Sequence, residues 1–216
     1  MNSVPLPDKH DKFARWFPKI DAWDKKQIEV IYHRYEGTKM RPIAKFVSKC
    51  GDPGLWGFAI IISAIVGIIL QKLTVCVILT TGFLQSYIIY YIIKHFIKRP
   101  RPFRQFEKIE RLDKTGYGYS FPSGHAHHSA LLLGLLWLLY FDNPFFIILL
   151  LIYNFVVGYS RMVSGVHFPS DAIAGVIEAY LVLFFHWVVT KDFYLVIAQN
   201  ILVWINGIFG MSLVLF

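Results

Sequence analysis

PGLWGFAIIISAIVGIILQKLTVCVILTTGFLQSYIIYYII, residues 53–93, holds one charge, Lys72, in 41 positions. It reads as two apolar runs, 53–71 and 73–93, folded back on each other at Gln71-Lys72. A helix needs about 20 mostly apolar residues to cross a hydrocarbon layer. Helices satisfy their own backbone there, which open loops and sheet edges do not. Working outward, four more runs have this character: 124–141, 143–160, 172–190 and 193–216, with tight turns expected at Asp142-Asn143 and Lys191-Asp192. The expected fold is all-α, a six-helix transmembrane bundle over residues 54–216.

Composition agrees. Of 216 residues, 56% are apolar and 17% charged. A soluble domain carries about 25% charge, so a soluble globular enzyme is disfavoured, and so is a disordered chain. The six Trp, twelve Tyr and 19 Phe suit a lipid-facing surface with interfacial aromatics. The net charge of +8 is not spread on a soluble body, so nucleic acid is not an expected partner. Two cysteines, Cys50 and Cys76, do not make a disulfide framework. Charges recur through the first fifty residues, so no signal peptide is visible.

Residues 1–53 differ from the rest. Phe13, Trp16, Phe17 and Ile20 keep helical spacing, as do Ile28, Ile31, Tyr32 and Tyr35. Pro18 divides the segment, and Asp21 is a candidate cap for its second helix. Cations fill the other faces. This pattern fits an amphipathic basic segment on the membrane surface. A cap packed against the bundle fits it equally well.

The span order fixes which loops share a side. The strings KHFIKRPRP, FPSGH and SRMVSGVHFPSD emerge on the same face as residues 1–53. That face holds 20 of the 22 Lys and Arg residues, leaving Lys72 and Lys191 opposite. Lys94 and Arg101 sit at the exit of the second span. Ser123, Gly124 and His125 open the third. Arg161, His167 and Asp171 lie between the fourth and fifth. Three cations, two histidines, a carboxylate and a glycine-bearing helix start converge.

Each part answers a need of phosphoryl transfer, which relies on positioning and electrostatic stabilisation. Lys94, Arg101 and Arg161 match the charge on equatorial phosphoryl oxygens, the arginines bidentately. The Ser123 hydroxyl and the N–H groups of Ser123 and Gly124 suit an anion at a helix N-terminus. His167, with Asp171 four residues on to orient it, is the candidate nucleophile. His125 is the candidate acid for the leaving group, and later the base for water. Zinc is an alternative, since His125, His127, His128, His167 and Asp171 are possible ligands. Three cations in one pocket oppose it. No metal or other cofactor is expected.

This arrangement resembles the type 2 phosphatidic acid phosphatase superfamily, whose three-part signature reads K-x6-R-P, P-S-G-H and S-R-x5-H-x3-D. Here those positions are Lys94 with Arg101-Pro102, residues 122–125, and Ser160-Arg161 with His167 and Asp171. The motifs span residues 94–171. The resemblance implies a metal-independent lipid phosphatase with a phosphohistidine at His167 and His125 as acid. Soluble acid phosphatases and vanadate-dependent haloperoxidases share that pocket, but six apolar spans argue against both.

Several residues outside the motifs have plainer readings. His127 and His128 are expected to pack or to hydrogen-bond behind the site. His95 and the basic run 98–104 are expected as interface anchors. Asn154 and Asn200 are explained by interhelical hydrogen bonds. Glu178 and His186 are intramembrane functional candidates by default, Glu178 as a pocket-floor residue. Gly207 and Gly210 are expected to permit close helix packing.

The expected substrate is a lipid mono- or diphosphate: phosphatidic acid, phosphatidylglycerol phosphate, a polyprenyl diphosphate or a phosphorylated saccharolipid. The resemblance puts polyprenyl diphosphate and phosphatidylglycerol phosphate first. Competing readings are a lipid phosphotransferase and a non-enzymatic anionic-lipid binder or transporter. The expected setting is a bacterial-type inner or plasma membrane. The cation bias places the active face in the cytoplasm, whereas relatives of this kind most often face outward. Oligomeric state is left open.

Overall fold

The computed structural model describes residues 11–112, 118–140 and 143–215. The first ten residues of the expected N-terminal segment, and the ends Phe141 and Phe216 of two expected spans, lie outside the described residues. Asp11 caps the short helix α1 (Lys12–Trp16) by accepting the Ala14 N–H at 3.1 Å. Pro18, whose missing N–H is harmless in a first turn, opens α2 (Pro18–Tyr35). Phe17 holds the cap position there. Asp21 is therefore not the cap expected from sequence; it lies buried in the first turn.

Asp21, Asp24, Ile28 and Tyr32 form the buried face of α2, which packs against α8 and α9. The next helix, α3 (Met40–Lys49), buries Ala44 and Ser48 against α8 and exposes Met40, Ile43 and Phe46. Both helices thus pack on the bundle. Outward apolar groups remain on both helices.

The helix α4 (Gly54–Ile69) and its partner α5 (Thr74–Ile97) are the runs that opened the sequence reading. The chain reverses between them at Gln71, which adopts a left-handed φ of 56°. The C-terminus closes this turn, because the N–H groups of Leu73 and Thr74 donate to the Val214 and Leu215 carbonyls, each at 3.1 Å. There follow α6 (Pro102–Gln105), α7 (Gly124–Tyr140), α8 (Phe145–Val163) and α9 (Pro169–Phe185). A π-helical turn, His186–Thr190, joins α9 to α10 (Lys191–Phe209).

All these elements are helical, and among the described residues there is no strand, only an isolated bridge between Lys72 and Val214. Among the described residues, four stretches are long and apolar enough to cross a membrane: Met40–Ile69, Thr74–Gln105, Phe145–Val163 and Pro169–Phe209. The third expected span, α7, is shorter at 17 residues. The break expected at Lys191-Asp192 is absent, because two charges alone do not end a helix. Lys191 Nζ lies 4.4 Å from the Trp187 ring centre and 3.8 Å from Asp192 Oδ1. Gly207 has open space where a Cβ would stand, and Gly210 ends α10 at φ 63°. Neither glycine serves the close packing expected of it.

The main core joins Trp56, Leu79, Leu131, Leu135 and Leu183 from α4, α5, α7 and α9. Outside it, Phe58, Ile65, Ile88, Ile152, Phe155 and Leu181 are exposed, as lipid-facing side chains are. Small residues bring α7 and α9 together. At Gly175 a Cβ would stand 2.6 Å from the Ser123 carbonyl oxygen, so only glycine lets α9 approach the start of α7 this closely. Asn154 links helices as expected, donating to Tyr180 Oη at 2.7 Å and accepting from Ser129 Oγ at 3.4 Å.

Candidate active site

Lys94 comes from the last turn of α5, Arg101 immediately precedes α6, and Ser123 immediately precedes α7. Arg161 comes from the last turn of α8, His167 from the link to α9, and Asp171 from the first turn of α9. Backbone contacts lock these ends together. Lys94 Nζ donates to the Pro122 carbonyl at 3.0 Å, tying α5 to the loop before α7. The Ser123 N–H donates to the Asp171 carbonyl at 2.9 Å, tying that loop to α9. The link carrying His167 turns at Gly165, where φ is 70°, and the Val166 N–H donates back to the Arg161 carbonyl at 3.2 Å.

Lys94, Arg101, Ser123, Arg161, His167 and Asp171 are all buried, and His125 is half-buried on the first turn of α7. Gly51 lies against His125; a Cβ there would stand 2.9 Å from its carbonyl oxygen. Buried cations need acceptors. Arg101 Nη1 donates to the Val166 carbonyl at 2.9 Å and lies 3.1 Å from His167 Nε2. Arg161 donates to Ser48 Oγ of α3. Ser123 Oγ is buried with no hydrogen-bond partner among the described residues. A hydroxyl in that condition at a helix start is a natural anion ligand.

The Arg101 contact fixes the imidazole's form. A guanidinium only donates, so Nε2 of His167 must accept. The ring proton then sits on Nδ1, which faces Asp171 Oδ2 at 3.5 Å. His167 thus presents an Nε2 lone pair to the cationic side and its N–H to a carboxylate, as an oriented nucleophile requires. Burial first, then the charges of Arg101 and Arg161, hold its pKa well below the ordinary histidine value, against the upward pull of Asp171. The ring is neutral near pH 7.

His127 and His128 fall behind the pocket, as their packing reading expects. His127 Nε2 contacts Ser86 Oγ, its Nδ1 lies 3.5 Å from Glu178, and His128 stacks among Phe83, Tyr87 and Tyr90. Glu178 thus faces α7 from α9. Among the described residues no three His, Cys, Asp or Glu side chains gather as metal ligands.

Sequence reasoning missed Arg99, Asp24, Ser48 and Gly175. Arg99 was hidden inside the run between Lys94 and Arg101. The signal for Asp24 was present: with Asp21, Ile28 and Tyr32 it marks one helical face, an odd place for two acids in a basic segment.

Helices of membrane-crossing length, with buried cations gathered around a histidine at their ends, define an integral membrane protein. The chain belongs to the PAP2 superfamily, whose family model matches residues 71–194. It is similar to the undecaprenyl-diphosphatase of Sulfolobus acidocaldarius, 31% identical over 130 residues. That match spans 60% of this chain and 61% of the relative's length, under two thirds of it. Its fold is similar to that of the PAP2-type phosphatidylglycerolphosphate phosphatase of Bacillus subtilis, with a TM-score of 0.65 at 20% identity over 78% of this chain and 84% of that one. LpxE of Aquifex aeolicus matches with a TM-score of 0.62 at 18% identity, over 75% and 93%.

Proposed function

We propose that this protein is a membrane lipid phosphatase that removes phosphate from a lipid mono- or diphosphate through a phosphohistidine at His167. The observation that carries this reading is the Arg101–His167–Asp171 line, with a neutral Nε2 beside a guanidinium and a carboxylate behind Nδ1. Lys94, Arg101, Arg161, Ser123 Oγ and the Gly124 N–H hold the phosphoryl oxygens. Arg101 exchanges its contact with Nε2 for a phosphoryl oxygen, and the freed Nε2 lone pair forms the N–P bond as the P–O bond to the lipid breaks. His125 gives its proton to the departing oxygen. Water then attacks phosphorus, His125 takes its proton, and the N–P bond breaks to release phosphate.

A groove of 420 Å³ between α5 and α9, lined by Ile89, Ile93, Phe121, Pro122, Ile177 and Leu181 among others, runs from the loop before α7 towards Phe185. An apolar groove that reaches Pro122, whose carbonyl accepts from Lys94, suits a substrate whose phosphate is carried on hydrocarbon. Polyprenyl diphosphate and phosphatidylglycerol phosphate are the leading substrates, supported by the names of the similar proteins. In this reading residues 54–216 form the membrane-spanning phosphatase unit and residues 1–53 its interfacial cap. The unit sits in the plasma (inner) membrane with its pocket towards the cytoplasm.

The test is phosphate release from a panel of purified lipid phosphates without added metal and with chelator present. Turnover of at least one lipid by the wild type and none by His167→Ala is expected. Equal release by both would sink the mechanism. Single cysteines replacing Lys72 and Lys108 report orientation: an impermeant thiol reagent added outside cells should label position 72 alone, and labelling at 108 would reverse the assignment.

A further inference from the structure

Arg99 lies outside the roles just assigned, yet it is wholly buried. Its guanidinium is clamped between two rings, 3.8 Å from the Phe13 centre and 4.0 Å from Phe168. Its two ends face different helices. Nη1 donates to Asp171 Oδ1 at 2.8 Å and to Ser170 Oγ at 3.0 Å, both on α9. Nη2 donates to Asp21 Oδ1 at 2.9 Å and meets Asp24 Oδ2 at 2.7 Å, both on α2. Asp24 also accepts the Ser170 N–H at 2.9 Å and the Ser170 hydroxyl, so α2 and α9 are joined with and without the arginine.

We propose that Arg99 is a positioning residue that couples helix α2, through Asp21 and Asp24, to the Asp171–His167 pair. The inference rests on the histidine phosphatase reading of that pair. Asp171 uses its two oxygens separately. Oδ1 is held by Arg99, while Oδ2 accepts the Phe168 N–H at 2.8 Å and faces His167 Nδ1. Fixing Oδ1 therefore fixes the rotation of the carboxyl, and with it the face shown to the imidazole.

A lone guanidinium at that spot would also weaken the negative potential that Asp171 exerts on His167. Asp21 and Asp24 cancel that effect, so Arg99 acts as a rigid strut without a net positive field. Lys25, 2.7 Å from Asp21 Oδ2, anchors the outer edge. Charge-assisted bonds in a buried setting are strong and geometrically strict. Helix α2 lies outside the segment that matches the family model, so this chain completes its site with an element beyond that segment.

Arg99→Gln would strand buried carboxylates and endanger folding. The decisive variants are therefore Arg99→Lys and Asp24→Asn in the full-length protein in detergent. Each should lower kcat by about 10- to 100-fold, as misplacement of a reacting group by about 1 Å does, with KM within about twofold of wild type. Inorganic phosphate reports the cationic pocket alone, whereas vanadate also needs the His167 Nε2 lone pair. Calorimetric affinity for phosphate should stay unchanged while affinity for vanadate falls in step with kcat. Unchanged kcat and vanadate affinity in both variants would overturn the proposal, and so would parallel loss of both anions. Because these titrations need no turnover, a wild type that cleaves no lipid would defeat the phosphatase reading, and the ratio of vanadate to phosphate affinity would still decide this one.

Discussion

Two arginines, two residues apart and both buried, border two regions with opposite electrostatic characters. On the cap side, Arg99 meets Asp21, Asp24 and Asp171, so its charge is cancelled within the fold. On the pocket side, Arg101 donates to carbonyl oxygens and reaches the lone pair of His167. The first region is a joint; the second is the one proposed to receive an anion. The difference shows that a buried cation has no fixed meaning. Its neighbours decide what its charge does.

The largest expected effect lies where the two regions meet. His167→Ala removes the proposed nucleophile and should lower phosphate release by at least about 10³-fold, the scale seen when a covalent nucleophile is deleted. Size-exclusion and circular dichroism should show a folded protein. Residual activity within tenfold of wild type would remove His167 from the chemistry. Next is the pocket itself. Arg101→Ala should weaken inorganic phosphate binding by about 10- to 100-fold, the loss of a charge-assisted contact. Arg99→Lys should leave that affinity alone. Equal loss in both would erase the distinction between joint and pocket.

The helix contact beneath both regions comes third. Gly175→Ala would place a methyl group 2.6 Å from the Ser123 carbonyl oxygen, a backbone atom that cannot turn aside. Overpacking of this kind costs about 1–3 kcal/mol. Thermal unfolding in detergent should shift downward, with a fall in kcat of about tenfold as the start of α7 moves from α9. An unchanged melting temperature would mean that the two helices separate without penalty.

Sequence alone disclosed the helical class and singled out the residues proposed for the pocket, because both depend on local patterns. Apolar run length reports a span, and the spacing of Lys94, Arg101, His125, Arg161, His167 and Asp171 matches a family signature. Segment boundaries were less legible. The charges at Lys191 and Asp192 looked like a turn, but without proline or glycine the helix carries them through. The joint was the least visible. Arg99 looked like one cation in a basic loop, and Asp21 like a cap. Their pairing joins positions 78 residues apart, and no periodicity reaches that far. Gly175 likewise acquires meaning only once the Ser123 carbonyl stands against it.

The smallest expected effect is an absence of change with pH, and it probes the electrostatics between the two regions. Burial and the positive charges of Arg101 and Arg161 depress the His167 pKa. A depressed histidine stays neutral, and hence nucleophilic, as pH falls through the ordinary value of about 6.5. An activated aryl phosphate needs no proton for its leaving group. With it, phosphoenzyme formation should fall by less than about twofold between about pH 7.5 and pH 6. A fall with a midpoint near 6.5 would mean that Asp171 outweighs the two arginines at the imidazole. Stability should follow the opposite logic. The unfolded chain takes up this proton near pH 6.5 while the folded protein does not. The histidine's contribution is therefore intact above that pH and is lost as pH drops below it. Acidification should thus lower the melting temperature before it slows the nucleophile.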